Sequence, residues 1–275
     1  MQKTSIPWTD YTWNPLCGCP RPLASAGCDN CYARQLHTQR HTAYLAGKKL
    51  PAQYAQGFDT IQMFADRLEE PLRVRTPSRI FVGSMTDLFH EAVPDAFIDQ
   101  VYRIFDRCPH HTFQLLTKRP KRRLQYHERF GIGTEPKNVW QGATFCTQKE
   151  LFDNMQYLRE LPAAVRFVSL EPLLEEMDLR LWSSPNRTYI LEATTEFPGF
   201  RHTGTYDSVI GWVIVGCESG PRRRVCPLEW VESIVAQCRS AGVPVFVKQI
   251  GGIGPGVTQD MARWPEHMRV REWPD

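Results

Sequence analysis

The sequence predicts an α/β protein folded as a TIM-like parallel βα barrel, complete or partial, with one small hairpin-like insertion. Three observations lead there. Short runs rich in Val, Ile, Phe and Leu alternate with helical stretches of roughly 10–15 residues, the rhythm of βα units around a parallel sheet. About seven such units can be counted, which suits closure into a barrel. A flat doubly wound sheet would want a Gly-rich phosphate turn after its first strand, and the sequence has none there.

In chain order, residues 9–14 read as the first strand and lead into a cysteine-rich loop. Residues 32–46 follow as a helix with Tyr32, Leu36 and Leu45 as apolar contacts. A polar stretch with Pro and Gly separates it from a second helical segment at 60–68. The strand at 79–84 precedes an amphipathic helix at 95–105, with Pro94 near its start. The strand at 112–117 precedes a helix at 120–130 opened by Pro120. The strand at 138–144 precedes a helix at 147–161 that Thr147 can cap. Strands at 165–170 and 212–216, a helix at 228–241 and a strand at 243–248 close the series. Residues 183–210 break the rhythm with Ser, Pro, Gly and β-formers, and read as a hairpin-like insertion or lid. From Gly251 to the end the chain turns Gly/Pro-rich and then charged, the composition of a surface tail. The whole reads as a single domain over 1–275.

Composition narrows the function classes. Apolar residues make up 42% of the 275 and charged residues 23%, ordinary for a soluble globular chain. A net charge of +3 is too mild to announce a nucleic-acid binder, so local clusters must carry that case. The N-terminus lacks the apolar core of a signal peptide, and the longest apolar run, 209–215, falls far short of a membrane span. Nine cysteines, an odd number, then point to a reducing compartment and a cytoplasmic location. In that setting clustered thiols mean metal or redox chemistry and not a disulfide framework.

Three thiols cluster within residues 19–31, as Cys19-x8-Cys28-x2-Cys31, and helix-like sequence follows directly. That arrangement suggests a metal or iron–sulfur loop at a helix N-terminus, where the helix dipole helps hold thiolate charge. In βα barrels chemistry lies where strands end. Just past the successive strands come Ser84, Thr86 and Asp87; then Lys118 and Arg119; then Cys146; then Glu171; then Cys217 and Glu218; then Lys248 and Gln249. One such residue is commonly a cap or a satisfied loop group. Their joint placement argues for an active site.

The segments Trp8-Thr9-Asp10, Trp13-Asn14-Pro15, Gly27 through Ala33, Gly83 through His90, Leu116 through Pro120, Phe167 through Leu173, Glu218-Ser219-Gly220 and Lys248-Gln249 resemble the radical S-adenosylmethionine (SAM) superfamily. More closely, they resemble the phage- and prophage-associated three-Cys-motif proteins. The resemblance implies a [4Fe–4S] cluster on Cys19, Cys28 and Cys31, with the fourth iron open to the amino and carboxylate groups of SAM. Reductive cleavage of SAM would then give a 5′-deoxyadenosyl radical, with electrons from a reductant protein such as a flavodoxin or ferredoxin. Ser84, Thr86, Asp87 and Lys118 resemble the segments that contact the methionyl end of SAM in photoproduct-lyase-like enzymes. The first cysteine gap differs from the usual C-x3-C-x2-C of the superfamily, and Cys17 stands two residues before Cys19.

Two basic clusters suggest a nucleotide or nucleic-acid substrate: Lys118, Arg119, Lys121, Arg122 and Arg123, and then Arg222, Arg223 and Arg224. Either cluster alone could be solvated charge. Trp182, Tyr189, Phe197, Phe200 and Tyr206 could stack on bases or form the small core of a hairpin. Cys146 and Cys217 could return a hydrogen atom to a substrate radical, or pack as small apolar groups. Glu171 could bind the SAM ribose or the substrate, or pair with Lys248. Two rivals remain. One is a zinc-stabilised nucleic-acid- or partner-binding protein with a site at Cys17, Cys19, Cys28 and Cys31. The other is an iron–sulfur barrel without SAM cleavage.

Overall fold

A computed structural model describes residues 1–21, 24–130, 136–179, 210–251 and 256–274. The chain divides into two compact units, residues 1–143 with 160–164, and residues 144–159 with 165–275.

The first unit holds β1 (Gln2–Lys3), β2 (Tyr11–Trp13), β3 (Leu16–Cys17), α1 (Tyr32–Leu45), β4 (Gln62–Met63), β5 (Arg79–Val82), α2 (Asp95–Arg107), β6 (Thr112–Thr117), α3 (Pro120–Phe130) and β7 (Val139–Thr144). Its main strands pair in the order β1-β2-β5-β6-β7. β1 runs antiparallel to β2, and the others are parallel, with Tyr11 opposite Ile80, Ile80 opposite Phe113 and Phe113 opposite Val139. Alternation along these strands turns Trp13, Ile80, Val82, Phe113, Leu115 and Val139 onto one face. There they meet Phe97, Ile98, Val101, Ile104 and Phe105, the apolar stripe of α2 at helical spacing.

The helix expected at 60–68 is not formed. Ile61, Phe64 and Leu68 have helical spacing, yet a nine-residue helix is marginal by itself. Here the backbone has better partners. Leu16 and Cys17 pair antiparallel with Met63 and Gln62, Phe64 N–H donates to the Pro15 carbonyl at 2.8 Å, and only Ala65–Arg67 turn as a 3-10 helix.

The second unit holds α4 (Gln148–Arg159), β8 (Arg166–Leu170), β9 (Trp212–Gly216), α5 (Leu228–Ser240) and β10 (Val245–Gln249). β8, β9 and β10 are parallel neighbours, with Phe167 opposite Trp212 and Val213 opposite Val245. β9 is buried at every residue, the pattern of a strand covered on both faces. The chain is thus mixed α/β, mostly parallel strands connected through helices, as in a partial βα barrel.

The C-terminal stretch is not a surface tail where it is described. Trp264, Met268 and Val270 are buried. Val247 N–H donates to the Val270 carbonyl at 3.0 Å, Glu272 N–H to the Val245 carbonyl at 3.1 Å, and Trp212 Nε1 to the Glu272 carbonyl at 2.8 Å. The open backbone groups of β10 supply what composition could not reveal. The expected insertion at 183–210, with its aromatic residues, lies outside the described residues except for Ile210. Among the described residues no helix is long and apolar enough to cross a membrane.

Candidate metal centre

The cysteine loop is fixed to the ends of the neighbouring strands before any thiol is considered. Gly18 takes φ +96°, and a Cβ there would stand 2.0 Å from the Thr60 carbonyl oxygen, so only glycine passes. Its N–H donates to the Met85 carbonyl at 3.2 Å, and its carbonyl accepts from the Thr86 hydroxyl at 2.7 Å. Cys19 N–H donates to the Phe58 carbonyl at 2.8 Å, while Arg34 Nη2 donates to the Cys19 carbonyl at 2.7 Å. Cys28 ends a short 3-10 turn whose Gly27 N–H is capped by the Ser25 hydroxyl at 3.1 Å. Cys31 is the N-cap of α1, at the positive end of the helix dipole.

The loop after β5 braces this arrangement. Asn14 donates from Nδ2 to the Ser84 hydroxyl at 3.0 Å and accepts the Met85 N–H at 3.0 Å. The Tyr32 hydroxyl donates to the Ser84 carbonyl at 2.6 Å. His90 accepts Ala92 N–H on Nδ1 at 3.0 Å, so Nε2 carries the proton and donates to the Pro20 carbonyl at 3.1 Å.

Asp87 joins the ends of β5 and β6. Its carboxylate accepts from Phe89 N–H (3.0 Å), the Thr117 hydroxyl (2.7 Å), Lys118 N–H (3.1 Å) and Arg119 Nη1 (3.1 Å). Asp87 is 6% exposed and Arg119 7%, and Arg119 Nε also reaches Glu91 at 2.9 Å. Among the residues matched to SAM contacts, Ser84, Thr86 and Asp87 therefore all hold intramolecular partners, and Lys118 is half-buried beside them.

These groups act on one another electrostatically. Burial pushes the Cys19 thiol up to about 11; Asp87 adds to the shift, Arg119 opposes it, and Cys28 and Cys31 add further. A buried Cys19 thiol beside two further thiols is costly to ionise without a cation, which is the donor chemistry a metal or iron–sulfur cluster satisfies. Among the described residues, no three His, Cys, Asp or Glu side chains already converge at ligand distance. Cys17 is occupied elsewhere: its Sγ lies 3.4 Å from His37 Nδ1, and His37 Nε2 lies 2.9 Å from the Gln56 carbonyl.

The second unit holds the remaining candidates. Glu171 pairs with Lys248, both half-buried. Cys146 is fully enclosed, and its N–H donates to the Glu150 carboxylate at 2.7 Å. Cys217 follows β9, and its Sγ lies 3.9 Å from the carbonyl oxygen of Cys226, which stands at the same x8 spacing as Cys28 does from Cys19. Glu218 accepts from Arg224 N, Nε and Nη2 at 2.8, 3.0 and 2.5 Å.

The basic clusters are largely consumed within the fold. Arg119 is bound to Asp87 and Glu91, Arg122 pairs with Asp95, and Arg224 pairs with Glu218. Arg123 is fully buried, its guanidinium 5.0 Å from the Phe89 ring centroid and Nη1 3.4 Å from the Leu115 carbonyl. Helical spacing explains this: consecutive charges at 121–123 spread around α3, and position 123 shares the buried face with His127. Residue type and spacing did not single out Asn14 and Arg34 as site residues, although Asn14 stands at the end of the first expected strand.

A family model described as "Protein of unknown function (DUF5131)" matches residues 3–272. No curated protein and no solved structure matches the chain.

Proposed function

The chain belongs to the DUF5131 family, and for this member we propose an iron–sulfur enzyme of the radical SAM type on a partial TIM-like barrel. The observation that carries the proposal is that Gly18, next to Cys19, is bonded to Met85 and Thr86, while Asp87 is bonded to Thr117, Lys118 and Arg119. The cysteine loop and the ends of β5 and β6 are thus one chemical neighbourhood. Cys19, Cys28 and Cys31 would hold a [4Fe–4S] cluster. Once bound, such a cluster would supply the single electron needed for reductive cleavage of SAM.

The chain's own residues have separable tasks. Arg119 offsets the negative charge that three thiolates gather, and Asp87 fixes the guanidinium in place. Asn14 and Thr86 hold the loop backbone, so the thiols are presented with little freedom to reorganise. Ser84, Thr86 and Lys118 form the polar edge toward which the amino acid end of SAM is proposed to dock. In the second unit, Cys146 and Cys217 are the proposed hydrogen-atom donors and Glu171 a proposed ligand for ribose or substrate. The substrate proposed is a nucleotide or nucleic acid, and exposed Lys121, Arg222 and Arg223 are the cations offered to it. A flavodoxin- or ferredoxin-type protein would supply the electrons.

The contact of Cys17 with His37 favours a three-thiol set over a four-cysteine zinc site. Anaerobic purification with iron, sulfide and zinc analysis tests the reading. We expect about four irons per chain, a brown colour bleached by dithionite, and 5′-deoxyadenosine on adding SAM. Cys28→Ala should lose the iron and Cys17→Ala should keep it. One zinc per chain in a colourless protein, or iron retained by Cys28→Ala, would overturn it.

A further inference from the structure

We propose that the second unit carries a thiol–disulfide exchange site, with Cys217 attacking, Cys226 resolving and an anionic small-molecule disulfide as substrate. It requires no metal or SAM, and it gives Cys217 and Arg223 a role different from the one they have in the function proposed above.

Geometry comes first. Cys217 Sγ accepts the Gly251 N–H at 3.2 Å and lies 3.9 Å from the Cys226 carbonyl oxygen. Both thiols face the same cavity, and the Cys217 thiol contacts the backbone of Cys226. Cys217 is 1% exposed and Cys226 7%, yet both line a cavity of about 400 Å³ together with Pro221, Arg223, Arg224 and Val225. That volume suits a small organic molecule.

Charge selects the substrate. Arg224 is neutralised by three hydrogen bonds to Glu218, which also fixes the shape of the 218–224 loop. Arg223 is exposed, and among the described residues its polar contact is the Gly220 carbonyl at 3.4 Å, with no carboxylate. The cavity wall therefore keeps one uncompensated cation, which favours a carboxylate-bearing disulfide over a cationic one.

The pair is also asymmetric. The proximity of Cys226 and the Gly251 N–H pull the Cys217 thiol down, against burial and Glu171, while the proximity of Cys217 and burial push Cys226 up. A buried cysteine without such partners behaves differently: burial, with the charge of Glu272 adding to it, pushes Cys238 up strongly. Nucleophile and resolving thiol are thereby distinguished.

The step balances. Cys217 thiolate forms a bond to one sulfur of the disulfide, whose S–S bond breaks, and the expelled thiolate takes a proton from water. Cys226 loses its proton and attacks Cys217, expelling the second thiol, which carries a proton away. Two protein thiols are oxidised by two electrons, and one external disulfide is reduced to two thiols.

The wild-type protein is incubated with oxidised glutathione or with cystamine, quenched with acid, alkylated and mapped by peptide mass. We expect a Cys217–Cys226 disulfide as the first product, formed roughly tenfold faster with glutathione disulfide than with cystamine. Cys226→Ser should trap one glutathione on Cys217, Cys217→Ser should leave Cys226 reduced, and Arg223→Glu should erase the preference between reagents. If other cysteines oxidise while this pair stays reduced, or the two reagents act equally fast on the wild-type pair, the proposal is wrong.

Discussion

Asp87 accepts four hydrogen bonds, one of them from a guanidinium nearly as buried as itself, so neither partner can turn to water if the other is lost. Removing one member of a buried charge pair typically costs about 3–5 kcal/mol, because the remaining charge stays desolvated. Asp87→Asn should approach that loss in urea unfolding, and adding Arg119→Met should recover part of it. A loss below about 1 kcal/mol would mean that water replaces the carboxylate freely. Gly18 is constrained differently. Gly18 and Gly47 both have positive φ, +96° and +83°, but a Cβ on Gly47 would meet nothing within 4 Å, whereas on Gly18 it would meet Thr60 oxygen at 2.0 Å. Gly47→Ala should therefore cost about 1–2 kcal/mol, the left-handed conformation alone. Gly18→Ala adds a backbone collision and should cost about 3 kcal/mol or more, with the cysteine loop displaced. Thermal unfolding of the two variants side by side measures the difference.

The packing of α2 against α3 brings a titrating group into the core. His127 Nε2 lies 3.1 Å from the Tyr102 hydroxyl, and burial, then the charge of Arg123, push its pKa from 6.5 down to about 3. The folded pKa is below the unfolded one. The contribution is complete above pH 6.5 and is lost as pH falls toward about 3, because there the unfolded chain binds a proton the folded chain refuses. Within that window this one residue should cost about 1.4 kcal/mol of stability per pH unit. His127→Phe should flatten the pH dependence of urea unfolding by one proton; an unchanged slope would assign the proton elsewhere. The elements themselves differed in how readable they were. β5 through β10 were legible because their apolar runs are bounded by turn residues, and α2 because its apolar residues recur at helical spacing. The two-residue strands β1, β3 and β4 were not, since each exists by virtue of its partner's backbone. The same holds for the clamp of Val270 and Glu272 on β10.

At the scale of the whole molecule, residue types were legible where their partners were not. Three thiols in thirteen residues and polar groups at strand ends are visible in any reading of the chain. That Thr86 holds Gly18 and that Cys17 belongs to His37 depends on contacts between distant segments. Charge makes the point quantitatively. Eight cations at 118–123 and 222–224 suggest a strong phosphate footprint. Arg119, Arg122 and Arg224 are bound to carboxylates and Arg123 is buried in the core, so at most four of the eight remain for a ligand. Each phosphate neutralised on a single strand contributes about −0.7 to the slope of log K against log salt. Eight contacts would give a slope near about −6, and four give about −3 at the steepest. If single-stranded DNA or RNA binds, titration between low and moderate salt should return a slope no steeper than about −3. Lys121→Gln with Arg222→Gln should make it shallower still. A slope near −6 would require Asp87, Glu91, Asp95 and Glu218 to release their arginines on binding, and Asp95→Asn would then strengthen affinity. With the pairs intact, Asp95→Asn should leave affinity almost unchanged, because the freed Arg122 remains half-buried at the start of α3.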